Sequence, residues 1–209
     1  KQYIYYSDEL LNFNNEVERK ELWDIAIYSK SRISAEELDE YSYVWVDNLL
    51  QNKQGKTLSR CVPTEWNSTE YKIDDILIWN IRPYLKKIWQ ATNNWWTNWD
   101  VLVIRIKENF KNNINSRFLY HLLASDNFFH YNMQNAKWAK MPRWDKTAIL
   151  KYKIQVPSIE KQKEIVEILD KFDKLVNDIS EGLPAEIKAR KQQYEYYREK
   201  LLTFNELKK

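Results

Sequence analysis

The chain contains very little glycine, cysteine and histidine. It has two glycines, where average usage predicts roughly 15, and this scarcity argues against a glycine-rich cofactor loop. The single cysteine, Cys61, cannot form an internal disulfide, which fits a reducing cytoplasm. A zinc site built on His121 and His130 would also need carboxylates, so we predict neither a metal nor a cofactor.

Long apolar runs are missing as well. No stretch approaches the roughly 20 apolar residues that a membrane-spanning helix needs, and residues 1–4 do not have the pattern of a signal peptide. With 44% hydrophobic and 30% charged residues, the composition predicts a soluble, cytoplasmic protein that has a packed core.

The net charge of +3 conceals a separation of charge along the chain. Residues 1–50 carry 5 basic and 11 acidic side chains, whereas residues 51–136 carry 11 and 7. Residues 137–156 carry 6 and 1, and residues 157–209 carry 11 of each. The basic middle predicts contact with a phosphate backbone, although charge alone leaves an ordinary solvated surface as the alternative.

The two ends of the chain form an internal repeat. Residues 2–13 align with residues 193–204, and seven of the twelve positions are identical: one Gln, three Tyr, two Leu and one Phe. The simplest interpretation is that the chain is one unit of a tandem repeat, which starts in the tail of one helical spacer and ends with the next.

Two C-terminal helices are predicted, over 158–181 and 184–204. Ser158 is suited to cap the first helix, and Gly182 and Pro184 favour a break between the two. The apolar positions at heptad spacing, termed the seam residues, are Ile165, Leu169, Phe172, Val176, Ile179, Leu183, Ile187, Tyr194, Tyr197, Leu201 and Phe204. The seam predicts a partner helix from this chain, from another repeat or from a second copy. Packing of an amphipathic helix on its own domain is the alternative.

Residues 14–156 mix strand and helix patterns and predict an α+β domain. Runs of apolar residues predict four strands, over 43–46, 76–81, 101–106 and 150–156. A helix is predicted over 115–131, capped by Asn115 or Ser116. The Asn-, Thr- and Asp-containing segment 93–100 predicts a loop.

Several of these segments together resemble the specificity (S) subunits of type I restriction–modification systems. The spacer motifs are PSIEKQKEIV at 157–166, LDKF at 169–172, SEGLPAEI at 180–187 and YYREKLLTF at 196–204. The domain motifs are DILI at 75–78, IRPY at 81–84 and KMPR at 140–143. The resemblance covers nearly the whole chain.

The resemblance implies two recognition domains, each reading one half of a bipartite DNA site, joined by two antiparallel helical regions that act as a ruler. Modification (methyltransferase) subunits dock on the helices, restriction subunits complete the complex, and the S subunit is not catalytic. This chain then corresponds to a half subunit, a truncation or one repeat. Its parts are the end of a spacer helix (1–13), a target-recognition domain (14–156) and a spacer or dimerisation region (157–209).

The residues predicted to contact DNA lie in loops of the basic middle, because phosphate anchoring needs cations and base reading needs paired donors and acceptors. They are Lys53, Lys56, Arg60, Asn80, Arg82, Lys86, Lys87, Asn94, Asn98, Lys137, Lys140, Arg143 and Lys146. For each one the alternative is an ordinary solvated side chain, and Arg82, which precedes Pro83, has a structural alternative.

The chain departs from the family's pattern at several turns. Where the family usually has glycine, this sequence has Trp66, Trp79, Trp95, Trp96, Trp99, Trp138 and Trp144, and also Asp74. A bulky residue is strained at a turn with positive φ, so we interpret the tryptophans as altered residues, with base stacking as the alternative.

An enzymatic function is not predicted. The methyltransferase box Asn/Asp-Pro-Pro-aromatic is absent, and the acid-x-Lys matches at 18–20 and 186–188 are too short to indicate a nuclease. The remaining alternative is a coiled-coil interaction or scaffold protein that does not read DNA sequence.

Overall fold

A computed structural model describes residues 2–13, 17–33, 43–45, 47–59, 68–138, 140–177 and 182–203. These residues fall into two compact units, one within 1–166 and the other within 167–209. The strands are β1 (Arg19–Glu21), β2 (Ala26–Tyr28), β3 (Arg32–Ile33), β4 (Ser68–Tyr71), β5 (Ile76–Trp79), β6 (Ile88–Gln90), β7 (Trp95–Thr97), β8 (Val101–Ile106) and β9 (Lys153–Gln155). The helices are α1 (Gln2–Leu10), α2 (Leu22–Ile25), α3 (Ser116–Ala124), α4 (Asp126–Gln134), α5 (Lys146–Leu150), α6 (Ile159–Asn177) and α7 (Leu183–Leu202).

Three antiparallel sheets organise the first unit. The largest has the strand order β2-β8-β5-β6, a second has the order β3-β4-β7, and β1 pairs with β9. Strands β5 and β8 are the two central strands of this sheet, and all residues of β5 and the first four of β8 are buried, on both faces. Their register pairs Trp79 with Val101, so the end of β5 and the start of β8 lie at the same edge of the sheet.

The main core cluster lies on one face of the four-stranded sheet. It combines alternate residues of β5 and β8, such as Leu77 and Val103, with Tyr71 of β4 and Trp89 of β6. Alternation along a strand sends the neighbouring side chains, such as Ile78, to the opposite face, where they are also buried. The predicted α+β class is confirmed by this arrangement.

The helix predicted over 115–131 is two helices. Asn115 caps α3, because its side chain accepts hydrogen bonds from the amides of Arg117 and Phe118. At Ser125 the backbone is extended, and its hydroxyl accepts from the amide of Phe128 and starts α4. The prediction missed the break because the apolar periodicity continues across it.

Four strand or loop predictions also need correction. Of the strand over 43–46, only Val44 pairs among the described residues, through a bridge to Thr97. The segment 93–100 contains strand β7 rather than only a loop. Of the strand over 150–156, only the residues of β9 pair, and Leu150 ends helix α5. The strand over 76–81 ends at Trp79, two residues early, whereas 101–106 matches β8.

The C-terminal helices agree with the prediction over their described lengths. The Ser158 hydroxyl accepts from the amide of Lys161 at 3.3 Å and caps α6. Helix α7 starts at Leu183 with Pro184 in its first turn. Ile165 and Leu169 of the seam are buried and Phe172 and Val176 are half-buried, whereas the α7 members of the seam are exposed. Ile179 and Phe204 lie outside the described residues.

The expectation of strained tryptophans is wrong for the indoles that the structure describes. Positive φ among the described non-glycine residues occurs at Asn52, Lys53, Asp74, Arg82 and Lys86, and at none of the tryptophans in question. Asp74, with φ of 73°, does occupy a turn of the type that favours glycine. Trp66 lies outside the described residues.

No described helix combines the length and the apolar character needed to cross a membrane.

Candidate DNA interface

Three segments meet at the edge of the four-stranded sheet where β5 ends and β8 begins. They are 80–82, 98–100 and 137–146 without residue 139, and together they are termed the loop cluster. The Asn80 amide donates to the Asp100 carbonyl at 2.8 Å, and the Arg82 amide donates to the Pro142 carbonyl at 2.8 Å. These backbone bonds join segments that are distant in sequence, so the cluster is part of the folded framework rather than a free loop.

A small hairpin presents the longest of the three segments. The Lys137 amide donates to the Arg143 carbonyl at 2.9 Å, and the Arg143 amide donates back to the Lys137 carbonyl at 3.2 Å. Trp144 follows directly, and its indole N–H donates to the Trp79 carbonyl at 2.9 Å. Its ring packs on Phe129, with the centroids 6.0 Å apart. The buried indole therefore anchors the hairpin to the end of β5.

The outer surface of the loop cluster is cationic. Arg82, Lys137, Lys140 and Lys146 are exposed, and the Arg143 side chain is 42% exposed. The carboxylate of Asp145 lies 3.4 Å from the Lys137 ammonium and is the nearest acid on the hairpin. A surface of this charge, held on a fixed backbone, has the character of a phosphate-binding surface.

Asp145 also fixes the end of the hairpin. Its carboxylate accepts from the amides of Ala148 and Thr147, at 3.1 and 2.8 Å, and so caps α5. These two hydrogen bonds, together with the charge of Lys137, hold the pKa of Asp145 below its ordinary value. The carboxylate is therefore ionised at neutral pH and starts the helix that carries Lys146.

Two of the lysines predicted to contact DNA form a partly buried ion-pair cluster with one carboxylate. Lys53 and Lys86 both approach the Asp126 carboxylate, at 3.5 and 2.8 Å. Burial alone would raise the pKa of Asp126, but the hydrogen bonds and charges of Lys86 and Lys53 outweigh it and lower that pKa. These lysines bind the 53 and 86 turns to α4, which gives them a structural role.

Two further lysines lie over tryptophan rings. The Lys87 ammonium is 4.3 Å from the Trp79 ring centroid, and the side chain is buried, which lowers the pKa of Lys87. The Lys56 ammonium is 4.9 Å from the Trp89 ring centroid. Both lysines were predicted to contact DNA from loops, with a solvated side chain as the alternative, and the structure places their ammonium groups over tryptophan rings.

The three asparagines that were predicted to contact DNA also differ in their surroundings. Asn80 and Asn98 belong to the loop cluster but are buried, and Asn98 accepts from the Asp100 amide through its side-chain oxygen. Asn94 is exposed at the other end of the sheet, where it accepts from the Ile73 amide at 2.7 Å. Arg60 lies outside the described residues.

The structure thus unites seven predicted contacts in the loop cluster: Asn80, Arg82, Asn98, Lys137, Lys140, Arg143 and Lys146. It adds Asp100, which the sequence did not indicate, and Trp99, which the sequence indicated only as a possible base-stacking residue. Asp100 lies with its carboxylate 3.5 Å from the Arg143 guanidinium, and the Trp99 ring lies 5.8 Å from the same group. Their position at the start of β8 was visible in the sequence, but a contact across more than forty residues was not.

Comparison with known proteins identifies the family. Residues 14–189 match the model of the type I restriction modification DNA specificity domain. The chain belongs to this family. The matched residues include the whole loop cluster, all of α6 and the first part of α7. The match therefore spans the basic middle of the chain and part of its helical region.

Curated proteins that are similar to this chain are described as type I specificity subunits. The chain is 31% identical to the specificity subunit of the type I restriction enzyme EcoR124I/EcoR124II of Escherichia coli, over 98% of this chain and 53% of that protein. The chain therefore spans about half the length of this curated relative. Other curated relatives include a putative type I specificity subunit of Mycoplasma pneumoniae, 26% identical over 94% of this chain and 56% of that protein.

Solved structures share the fold. A chain from a type I R-M system, studied for its complex assembly and conformational transition, has a TM-score of 0.63 at 14% identity, covering 93% of this chain and 48% of that chain. The HsdS subunit from Thermoanaerobacter tengcongensis has a TM-score of 0.55 at 12% identity, covering 86% of this chain and 45% of that chain. Both likenesses concern the fold of the specificity domain.

Proposed function

We propose that this chain reads one half of a bipartite DNA site and that the loop cluster is the surface that contacts the duplex. The observation that carries the proposal is the convergence of Arg82, Lys137, Lys140, Arg143 and Lys146 on one edge of the sheet. Membership of the specificity-domain family supports it, because that family is described by DNA specificity.

The backbone hydrogen bonds of the loop cluster support sequence reading rather than charge attraction alone. Discrimination between bases requires donors and acceptors that are held at fixed positions, whereas attraction to phosphate requires only positive charge. The backbone bonds from Arg82 to Pro142 and from Trp144 to Asn80 fix the cluster on the ends of two buried strands.

The helical parts are proposed to provide spacing and assembly. Helix α6 has 19 residues, which at about 1.5 Å per residue span roughly 28 Å. We assign 1–13 and 157–209 to the spacer and 14–156 to recognition. The exposed seam residues of α7, such as Ile187 and Leu201, favour a helical partner.

The proposed partners are double-stranded DNA, modification and restriction subunits, and a second recognition repeat or a second copy of this chain. Catalysis then belongs to those other subunits, and the complex works in the cytoplasm, where the DNA is.

The double replacement Lys140→Ala and Lys146→Ala is expected to weaken DNA binding to a similar degree for all sequences. Each phosphate contact releases counterions from the DNA when the complex forms. Without these two contacts fewer counterions are released, so the slope of log affinity against log salt should become shallower by about 1–2 units. The measurement is a salt titration of duplex binding by the chain assembled with its modification subunits.

The matched control is Lys111→Ala with Lys163→Ala. Both lysines line a cavity of about 620 Å³ near the far end of β8, and the change in net charge is the same. An unchanged slope in the loop-cluster variant, or an equal change in the control, contradicts the proposed surface. Absence of any sequence preference in the wild-type complex would support the scaffold alternative.

A further inference from the structure

We propose that Arg143 reads a guanine in the major groove and that Asp100 is the residue that positions it. This inference rests on the proposed function, because it assigns one base contact within the loop cluster.

The backbone of Arg143 is fixed on both sides. It exchanges two hydrogen bonds with Lys137 across the hairpin, and it forms a bridge with Ile81, which follows β5. The next residue is Trp144, whose buried indole is bonded to the Trp79 carbonyl. The Cα of Arg143 therefore has a defined position relative to the sheet, as a base-reading residue requires.

The side chain of Arg143 is held from two further directions. One oxygen of the Asp100 carboxylate lies 3.5 Å from a terminal guanidinium nitrogen, and the Trp99 ring centroid lies 5.8 Å from the guanidinium carbon. The Asp100 side chain is 12% exposed, whereas that of Arg143 is 42% exposed. The acid thus holds the guanidinium from the protein side and leaves its outer edge toward solvent.

The long distance between the Arg143 guanidinium and the Asp100 carboxylate suits a side chain that contacts a base. At 3.5 Å the contact exceeds ordinary hydrogen-bond lengths, and this carboxylate oxygen has no hydrogen-bond partner. Asp100 therefore orients the guanidinium by charge without occupying its donors. The planar fork of arginine matches the paired O6 and N7 acceptors of guanine, which is the commonest specific contact in the major groove.

The neighbouring acid also favours a base over a phosphate as the ligand of Arg143. A phosphate placed on this guanidinium would lie close to the carboxylate of Asp100 and be repelled by it. A guanine edge presents acceptors without a net charge, so the same carboxylate opposes it far less. Lys140 and Lys146 are exposed cations, and they fit phosphate contacts.

The test is selection of bound duplexes from a random-sequence pool by the chain assembled with its modification subunits. The wild type is expected to select a guanine at one fixed position. Arg143→Lys keeps the charge but loses the planar fork, so that preference should disappear and affinity for the selected site should fall about ten- to hundred-fold. Preferences at the other positions should stay.

Asp100→Asn separates positioning from contact. It keeps the size of the side chain and removes the charge, so the guanine preference should weaken while thermal unfolding stays close to that of the wild type. Asp100→Glu restores the charge and should recover part of the preference. Lys140→Ala is the control, and it should weaken all sequences alike without changing the selected base.

Two outcomes overturn the inference while leaving the proposed function intact: equal weakening of all sequences by Arg143→Lys, or a guanine preference unchanged by Asp100→Asn. A wild-type complex that selects no sequence defeats the proposed function itself, and the two failures are therefore distinguishable.

Discussion

Trp144→Ala is expected to lower the free energy of unfolding by about 3–5 kcal/mol, as removal of a buried aromatic side chain typically does. The Trp144 side chain is nearly fully buried at 3% exposure, packs on Phe129 and donates to the Trp79 carbonyl. The replacement leaves a cavity at the end of β5 and also leaves that carbonyl without its indole donor. The hairpin that carries Lys140 and Arg143 loses its anchor, so DNA affinity of the remaining folded protein should fall as well.

The matched control is Trp138→Ala in the same hairpin. Trp138 is 62% exposed, so the same change of residue type removes little packing. Urea denaturation of both variants, followed by DNA titration under conditions where each is folded, gives the comparison. Similar destabilisation by the two variants would show that Trp144 is not the anchor of the loop cluster.

Asp75→Ala is expected to destabilise the protein by about 3 kcal/mol, at the lower end of the range for a broken buried ion pair. The Asp75 carboxylate accepts from Arg105 at 2.7 Å and from the Lys72 amide at 2.8 Å, and its side chain is buried. Its removal leaves the Arg105 guanidinium, whose side chain is 18% exposed, with the more distant Glu70 at 3.6 Å as its ion-pair partner among the described residues. Because Glu70 still pairs with Arg105, the expected loss of stability lies at the lower end of the range for a broken buried ion pair.

Glu108→Ala is the control for Asp75. Glu108 also pairs with a cation, Lys111 at 2.8 Å, but on the surface, where water and salt screen the charges. Its loss should leave the denaturation midpoint nearly unchanged. Asp75→Asn should fall between the two variants, because an amide oxygen still accepts from the Lys72 backbone. A Glu108 effect as large as that of Asp75 would contradict the role of burial.

Local patterns predicted the elements whose signals are local. The run 101–106 is apolar and β-branched, and β8 has those bounds. Ser158 was predicted as one cap and either Asn115 or Ser116 as another, and the Ser158 and Asn115 side chains accept hydrogen bonds from backbone amides. The cationic segment 137–146 was predicted as a loop, and its three lysines are exposed.

Tertiary contacts set the surroundings of several predicted DNA contacts in ways that the sequence did not indicate. Lys53, Lys86 and Lys87 were predicted to lie in loops. Lys53 and Lys86 form ion pairs with Asp126, and the Lys87 ammonium lies over the Trp79 ring. These partners are far away in sequence or belong to another strand, so no spacing rule indicates them. The expected strain at the tryptophans was wrong for a related reason: Trp144 is buried against Phe129 of α4, a contact that the sequence around Trp144 does not indicate.

Positive φ was equally difficult to predict. Arg82 and Lys86 adopt left-handed conformations at the two ends of the turn Pro83–Leu85, although neither residue type favours that region. The strain is offset by contacts from elsewhere, among them the bond from the Arg82 amide to Pro142 and the ion pair between Lys86 and Asp126.

Site-directed cross-linking tests most directly whether the loop cluster contacts DNA. In a Cys61→Ser background, Met141→Cys and Ile73→Cys place a photoactivatable cross-linker at opposite ends of β5, on side chains of similar exposure, 50% and 53%. With the duplex selected by the assembled complex, the account predicts cross-linking from position 141 to one fixed stretch of the target and little from position 73. Equal cross-linking from both positions, or cross-linking from position 73 alone, would contradict it.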